Sequence, residues 1–482
     1  MKRHGSALDL DGGTRGALWR RVVELLEQHG AALADRPDAP LVPRRSNDAI
    51  AEEVARLDLS TPHDPFALLE DVVGALEDGV VHTDHPRYFG LFNSAPAALT
   101  VVADAIVSGF NAQLATRGHA PWPVAVEERL IAELGARFGW EPGAGRGAFT
   151  TGGGEANMTA LACALVAAFP EVGERGVRAI PGEPRVYVST EGHATVRRAA
   201  RLAGLGDAAV RVVSCDAAQR MKGGALREAI ADDRMNGALP LLVVATAGTT
   251  SSGAIDPLRE LATVAERERC WLHVDAAWGG LAALVPELRS AVDGVERADS
   301  ITFDAHKVMS APIGTGTFLT RREGILERVF GASTGYMPRD GSDDPYARSM
   351  QWSRRFLGLR LLLPLATLGW DGYATSLRRQ VALAERLREG LRARRWRIVN
   401  ETPLPIVCFV DGAEGRAARD NRFLDAVARR TIASSGGWIS VPRFASGARA
   451  LRACVNNHRT EARDVDRLLD ALDRARAQAR DA

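Results

Sequence analysis

Residues 271–280 read WLHVDAAWGG and residues 300–316 read SITFDAHKVMSAPIGTG. Two apolar runs in them, Trp271 to Val274 and Ser300 to Phe303, have strand length and composition, and each hands an ionisable side chain to a turn of small residues. Lys307 follows Asp275 by 32 residues, the span of one right-handed strand-helix-strand crossover. Ligands of an open parallel sheet lie beyond the carboxyl ends of its strands, so this unit predicts Asp275 and Lys307 on one crevice.

The same pattern extends outward. RVYVST (185–190) reads as a strand feeding a helix over 194–203, and LLVVATAG (241–248) as another strand. Asp256 then reads as an N-cap, with Pro257 opening a helix over 257–269, and GTGTFLT (314–320) reads as a further strand, reversed. Recurring strand, helix, strand predicts an α/β fold with a mainly parallel sheet and helices on both faces. From 371 the pattern resets to a small mixed domain. It has helices over 376–394 and 420–434, strands near 396–400, 405–411, 438–443 and 451–456, and a last helix with Val465, Leu468, Leu469 and Leu472 in register. The expected division is a helical segment 1–95, a large domain 96–370 and a small domain 371–482. In the first of these, Leu18, Val22, Leu25 and Leu26 make a helical stripe that must pack on the body or on a second subunit.

A lysine and a carboxylate on one crevice are what a pyridoxal phosphate site needs. The amine forms the Schiff base, and the anion keeps the ring nitrogen protonated so that the ring stays an electron sink. Alone, a strand-end Asp or a Lys is ordinarily a satisfied turn residue or a solvated charge; the pair, flanked by Ala and Gly, says more. His306 adds a donor suited to a phosphate. Thr150, Thr151, Gly152, Gly153 and Gly154 precede a good helical run, so bare backbone N–H groups and a helix N-terminus converge on an anion. Dinucleotide readings fail. Gly152, Gly154 and Asn157 miss the last glycine of the fingerprint, and Gly143, Gly145 and Ala148 do not sit between a strand and a helix.

Composition bounds the rest. The chain has 482 residues, 46% apolar and 25% charged, with 61 basic against 60 acidic side chains, which points to neither nucleic acid nor a membrane surface as partner. MKRHGSALDLDGG lacks a signal-peptide core and no run is long enough to span a bilayer, so the expected location is cytoplasmic. Five scattered cysteines suit reduced, buried thiols, and ten histidines without HExxH or HxxxH spacing argue against a metal site.

HVDAAWGG followed by DAHK closely resembles the group II amino acid decarboxylases of fold type I, the family of aromatic amino acid, histidine and glutamate decarboxylases. HPRYFGLFNSAPA from 85, TTGGGEANMTAL from 150, STEGHATVRRAARLAG from 189, ATAGTTSSGAIDP from 245, RRFLGLRLLL from 354 and LRACVNNHRT from 451 are similar to family segments in family order. The resemblance implies a seven-stranded sheet, a small C-terminal α+β domain and a homodimer with a shared active site. It implies Gly153, Gly154 and His306 around the phosphate, His193 stacked on the ring, Thr246 beside the ring oxygen, and Ala277 and Asp304 in the same cofactor set. Phe92 and Ser94 would face the amino acid's side chain, and Phe110 would come from the neighbouring subunit. The segment 331–350 falls where these enzymes carry a mobile loop whose tyrosine returns a proton to carbon. Tyr346 is the better match and Tyr336 the alternative.

Three outcomes stay open at this point: decarboxylation of an L-amino acid, with an aromatic one preferred; the same cofactor used for oxidative deamination or retro-aldol cleavage; or a binding protein with a dead site. DAHK stands where the family commonly has NPHK, and Val308 replaces the usual tryptophan.

Overall fold

The computed structural model describes residues 8–35, 41–332, 344–412 and 421–480. At its centre are β1 (Arg146–Thr150), β2 (Pro184–Ser189), β3 (Val210–Val213), β4 (Leu239–Thr246), β5 (Trp271–Asp275), β6 (Ser300–Asp304) and β7 (Gly316–Thr320). They form one seven-stranded sheet in the order β1-β7-β6-β5-β4-β2-β3. Neighbours are parallel except at β7, which runs against both β6 and β1, as the reversed reading of GTGTFLT predicts.

Side-chain alternation along the strands builds two layers. Val243 and Ala245 of β4 join Val274, Ile301 and Phe303 on one face, under α4 (Pro121–Arg137) and α7 (Leu258–Arg267). Leu242 and Val244 join Val186 and Val188 on the other, under α5 (Gly153–Ala168) and α6 (Thr195–Leu202). Nine residues of α5 are buried, because its run of Ala, Leu, Cys and Val suits a helix pressed flat on a sheet.

Register then decides what meets at the sheet's edge. Thr246 pairs with Asp275, Asp275 with Thr302, Asp304 with Gly316, and Gly316 with Thr150. The ends of β1, β4, β5 and β6 therefore reach one line, with the start of α5 beside them.

The N-terminal segment holds α1 (Gly12–Asp35) and α2 (Pro65–Gly79), followed by α3 (Ala98–Phe110). His29 of α1 lies 2.9 Å from Asp84, which pins that helix to the segment after α2. Beyond the large sheet, α8 (Leu359–Ala393) leads into β8 (Trp396–Ile398), β9 (Ile406–Asp411) and β10 (Leu451–Cys454), an antiparallel sheet in the order β10-β9-β8. This sheet packs with α9 (Asn421–Ala433) and α10 (Ala462–Arg480) around Phe409, Val427, Leu468 and Leu472.

Three sequence expectations are corrected. The helix expected over 376–394 is the second part of α8, whose backbone breaks at Gly369 (φ 65°, ψ 175°). Residues 438–443 make isolated bridges only, Trp438 to Tyr88, Ser440 to Arg452 and Arg443 to Arg449. Pro442 has no N–H to give to a ladder, and Trp438 exchanges backbone hydrogen bonds with Arg87 and Phe89 instead (3.0 and 2.9 Å). Asp256 is no helix cap. Its buried carboxylate accepts from Met221 N (2.7 Å) and Thr246 N (2.8 Å), and burial pushes its pKa up to about 6.

Candidate active site

The strand β5 delivers Asp275 to the sheet's edge, where Oδ2 accepts from Asn157 Nδ2 at 2.9 Å and Oδ1 from Ala277 N at 3.2 Å. The following turn presses on the end of β4. A Cβ on Gly279 would stand 2.1 Å from the Ala247 carbonyl oxygen, so only glycine lets the two meet.

The next strand, β6, ends at Asp304 and passes into a single helical turn, Ala305–Val308, that carries Lys307. Lys307 Nζ lies 2.9 Å from Asp304 Oδ2, and the other oxygen of this buried carboxylate has no partner. His306 Nδ1 donates to the Thr315 carbonyl at 3.1 Å. Arg360, itself held by Asp104 at 2.6 Å, donates to Thr315 Oγ1 at 2.8 Å and steadies that loop.

Across the crevice Gly152 takes φ 150° and α5 begins at Gly153. The first N–H groups of a helix have no partner in a preceding turn, so those of Gly153 and Gly154 are free to meet an anion. A Cβ on Gly153 would stand 3.1 Å from Asp304 Oδ2, so glycine keeps this corner open. His193 follows β2, with Nδ1 2.8 Å from Thr195 Oγ1. Burial lowers the pKa of both His193 and His306 below the ordinary imidazole value, opposed by Asp275 at the first and Asp304 at the second. Both shifts favour the neutral ring, and a phosphate held beside His306 would favour its charged form, in which Nε2 can donate as well.

These residues enclose one cavity of about 220 Å³. Gly153, Gly154, His193, Thr246, Asp275, Ala277, Asp304, His306 and Lys307 all line it, together with Phe92, whose ring stacks on Trp278 at 4.3 Å. Ser94 is buried nearby but does not line it, and Phe110 stands 84% exposed on α3. Tyr346, expected on a loop over the site, is instead tucked into the short turn Pro345–Ala347. Its ring packs on Trp352 at 4.5 Å and its N–H donates to the Ala115 carbonyl at 3.0 Å, so its hydroxyl does not line this cavity. Tyr336 lies outside the described residues.

Thr151 and Gly152 of the same turn line it too, and so do Asn157, Glu191, Thr195, Gly248, Thr250 and Trp278, which the sequence had not singled out. A signal existed for Asn157, which lies four residues after Gly153 and so shares its helix face. Glu191 had none, since its place depends on the small domain, whose Ala445 N donates to its carboxylate at 2.6 Å. Neither did Arg452, which enters from β10 and donates to Ser440 Oγ and to the Thr250 and Gly90 carbonyls.

The residues fit pyridoxal phosphate. There is an amine for the aldehyde, a carboxylate for the ring nitrogen, and free helix N–H groups with an imidazole for the phosphate. Two buried oxygens, Thr246 Oγ1 and Asp304 Oδ1, have no partner of their own. Fold and site together define a pyridoxal-phosphate-dependent enzyme of fold type I. The model of the pyridoxal-dependent decarboxylase conserved domain matches residues 52–411, and the chain belongs to that family. It is a carboxy-lyase of amino acids. It is 32% identical over 414 residues to the L-2,4-diaminobutyrate decarboxylase of Rhizobium meliloti (strain 1021), covering 84% of this chain and 81% of that one. To the cysteine sulfinic acid decarboxylase of Homo sapiens it is 30% identical over 82% of this chain and 83% of that one. The crystal structure of mouse CSAD superposes with a TM-score of 0.90 at 27% identity, covering 97% of this chain and 99% of that one.

Proposed function

We propose that this chain releases the carboxylate of an L-amino acid as carbon dioxide and returns the amine, with Lys307 as the covalent anchor. The observation that carries the reading is that Lys307 and Asp275 line one small cavity whose other walls are the start of α5 and His193. Bound there, pyridoxal phosphate supplies the electron sink that lets a bond at the alpha carbon break. The protein's part is positional and electrostatic. Asp275 holds a proton on the ring nitrogen, Gly153, Gly154 and His306 grip the phosphate, and neutral His193 lies against the ring without repelling the ring's positive charge. With Tyr346 packed on Trp352, we take Lys307 Nζ, which lines the cavity, as the group that returns a proton to carbon.

For the substrate's side chain, the stacked Phe92 and Trp278 favour an aromatic amino acid. Arg452 gives three of its five N–H groups to neutral oxygens and stands behind the Phe92 ring without lining the cavity, which weighs against an acidic one. A second reading, a short diamino acid, is favoured by Glu191 in the wall and by the likeness to the Rhizobium L-2,4-diaminobutyrate decarboxylase. Carbon dioxide release and product mass across tryptophan, tyrosine, phenylalanine, 2,4-diaminobutyrate, ornithine, glutamate and cysteine sulfinate separate these. The expected result is amine, with the highest kcat/KM for an aromatic substrate. Preference for 2,4-diaminobutyrate or cysteine sulfinate sinks the aromatic reading, and an aldehyde with ammonia sinks simple decarboxylation.

We also infer a homodimer. Trp19, Val23 and Leu26 on α1, Leu76 on α2, and Val102, Ile106 and Phe110 on α3 are exposed apolar side chains concentrated in the first 110 residues. Light scattering is expected to report twice the mass of one chain, and Phe110→Ala to raise KM while leaving the cofactor's absorbance unchanged. A monomer that turns over at the full rate would contradict this.

A further inference from the structure

Beneath the cavity floor lies a set of buried polar side chains that the chemistry above does not use. We propose that Trp271, Ser300, His273 and Asn157 form a one-directional hydrogen-bond relay that sets the proton position on His193 and the orientation of the Asp275 carboxylate. Asn157 and His273 are its positioning residues. The inference deepens the roles given above to Asp275 and His193 and rests on them.

Direction begins at an atom with no choice. The indole N–H of Trp271 can only donate, and it meets Ser300 Oγ at 2.8 Å. Ser300 Oγ in turn lies 2.8 Å from His273 Nδ1. On the other side of that ring, Nε2 faces Asn157 Oδ1 at 3.0 Å and Thr302 Oγ1 at 3.1 Å, and the Thr302 hydroxyl already donates to Asn157 Oδ1 at 2.9 Å. Two acceptors in front of Nε2 place the proton there. Burial lowers the pKa of the ring to about 4, against the pull of Asp275 and of the Ser300 backbone, and with the one proton of the neutral ring on Nε2 the Ser300 hydroxyl donates to Nδ1.

The amide of Asn157 is then held in one orientation. Its oxygen is filled by two donors, and the flipped amide would set N–H against N–H and O–H. Its Nδ2 protons go to Asp275 Oδ2 and to Thr195 Oγ1, both at 2.9 Å. The Thr195 backbone N–H points at His193 Nδ1 (3.3 Å), which makes that nitrogen an acceptor, and the Thr195 hydroxyl, whose oxygen takes the Asn157 proton, gives its own there at 2.8 Å. With Nδ1 filled, the neutral His193 ring carries its proton on Nε2. Asn157, His273, Ser300 and Thr302 are all buried, so water cannot substitute for the links among them, while the last link, from Thr195 to His193, stands in the open cavity.

One amide thus couples the group that charges the ring nitrogen to the group that lies on the ring. The test uses holoenzyme labelled with 15N-histidine, with His193→Gln identifying the His193 signals. The wild type is expected to show the tautomer protonated on Nε2, and a proton on Nδ1 overturns the proposal without any relay variant. In Asn157→Ala the tautomers mix and the dissociation constant for pyridoxal phosphate rises by ~10-fold or more, the weight of a lost hydrogen bond to a charged group. Trp271→Phe, which keeps the buried ring and removes only the obligate donor, shifts both readouts in the same direction by less. Folded variants whose cofactor affinity and His193 tautomer match the wild type overturn the relay. Failure of the underlying site assignment looks different, since the wild type itself would then gain no visible absorption band on adding pyridoxal phosphate.

Discussion

Lys307→Ala abolishes covalent capture of the cofactor and lowers turnover by at least ~10⁴-fold, the upper range of what a positioned proton donor contributes on its own. Two losses combine. The amine that attaches pyridoxal phosphate disappears, and so does the group placed to return a proton to the alpha carbon. Little of the fold goes with them, because the side chain is partly exposed and its ion-pair partner Asp304 is held within β6 by the backbone. Borohydride reduction followed by peptide mapping measures the first loss, with the adduct expected on the peptide containing residue 307 in the wild type and nowhere in the variant. Single-turnover carbon dioxide release measures the second. An adduct on another lysine, or turnover within tenfold of the wild type, would remove the basis of the site assignment.

Asp275→Asn is expected to lower kcat by ~10- to 1000-fold, because a nearby opposite charge is worth one to three pKa units to the group it faces. The substitution keeps the shape. An amide oxygen can still accept from Asn157 Nδ2 in place of Oδ2, so what is removed is the charge and the longer bond from Ala277 N. Without the anion the ring nitrogen gives up its proton at a lower pH, and the loss grows as pH rises from about 6 to 9. Activity and the holoenzyme's absorbance measured across that range test the sign. Reconstitution with a cofactor analogue permanently charged at the ring nitrogen should restore much of the rate. A flat profile, or no rescue by the analogue, would show that Asp275 serves packing alone.

The relation between text and fold is uneven along this chain. The unit from Trp271 to Lys307 was readable because strand length, small-residue turns and a crossover of ordinary length are local properties. The anion corner at Gly153 was readable for the same reason: three glycines before a helical run have few other uses. The contact between Tyr346 and Trp352 was not readable, because a spacing match says nothing of a ring six residues further on that folds back over it. The strand near 438–443 failed because its backbone partners, Arg87 and Phe89, lie some 350 residues earlier.

By itself, then, the sequence determined the layered α/β architecture, the cofactor, and the meeting of Asp275 and Lys307 in one cavity, because each depends on contacts within one strand-helix-strand unit. Only the tertiary structure decided which further groups share the cavity and which way their protons point. Asn157, His273 and Ser300 come from α5, β5 and β6, and a hydrogen bond's direction follows from every neighbour of both its atoms. That information exists only once distant strands have been set side by side in register.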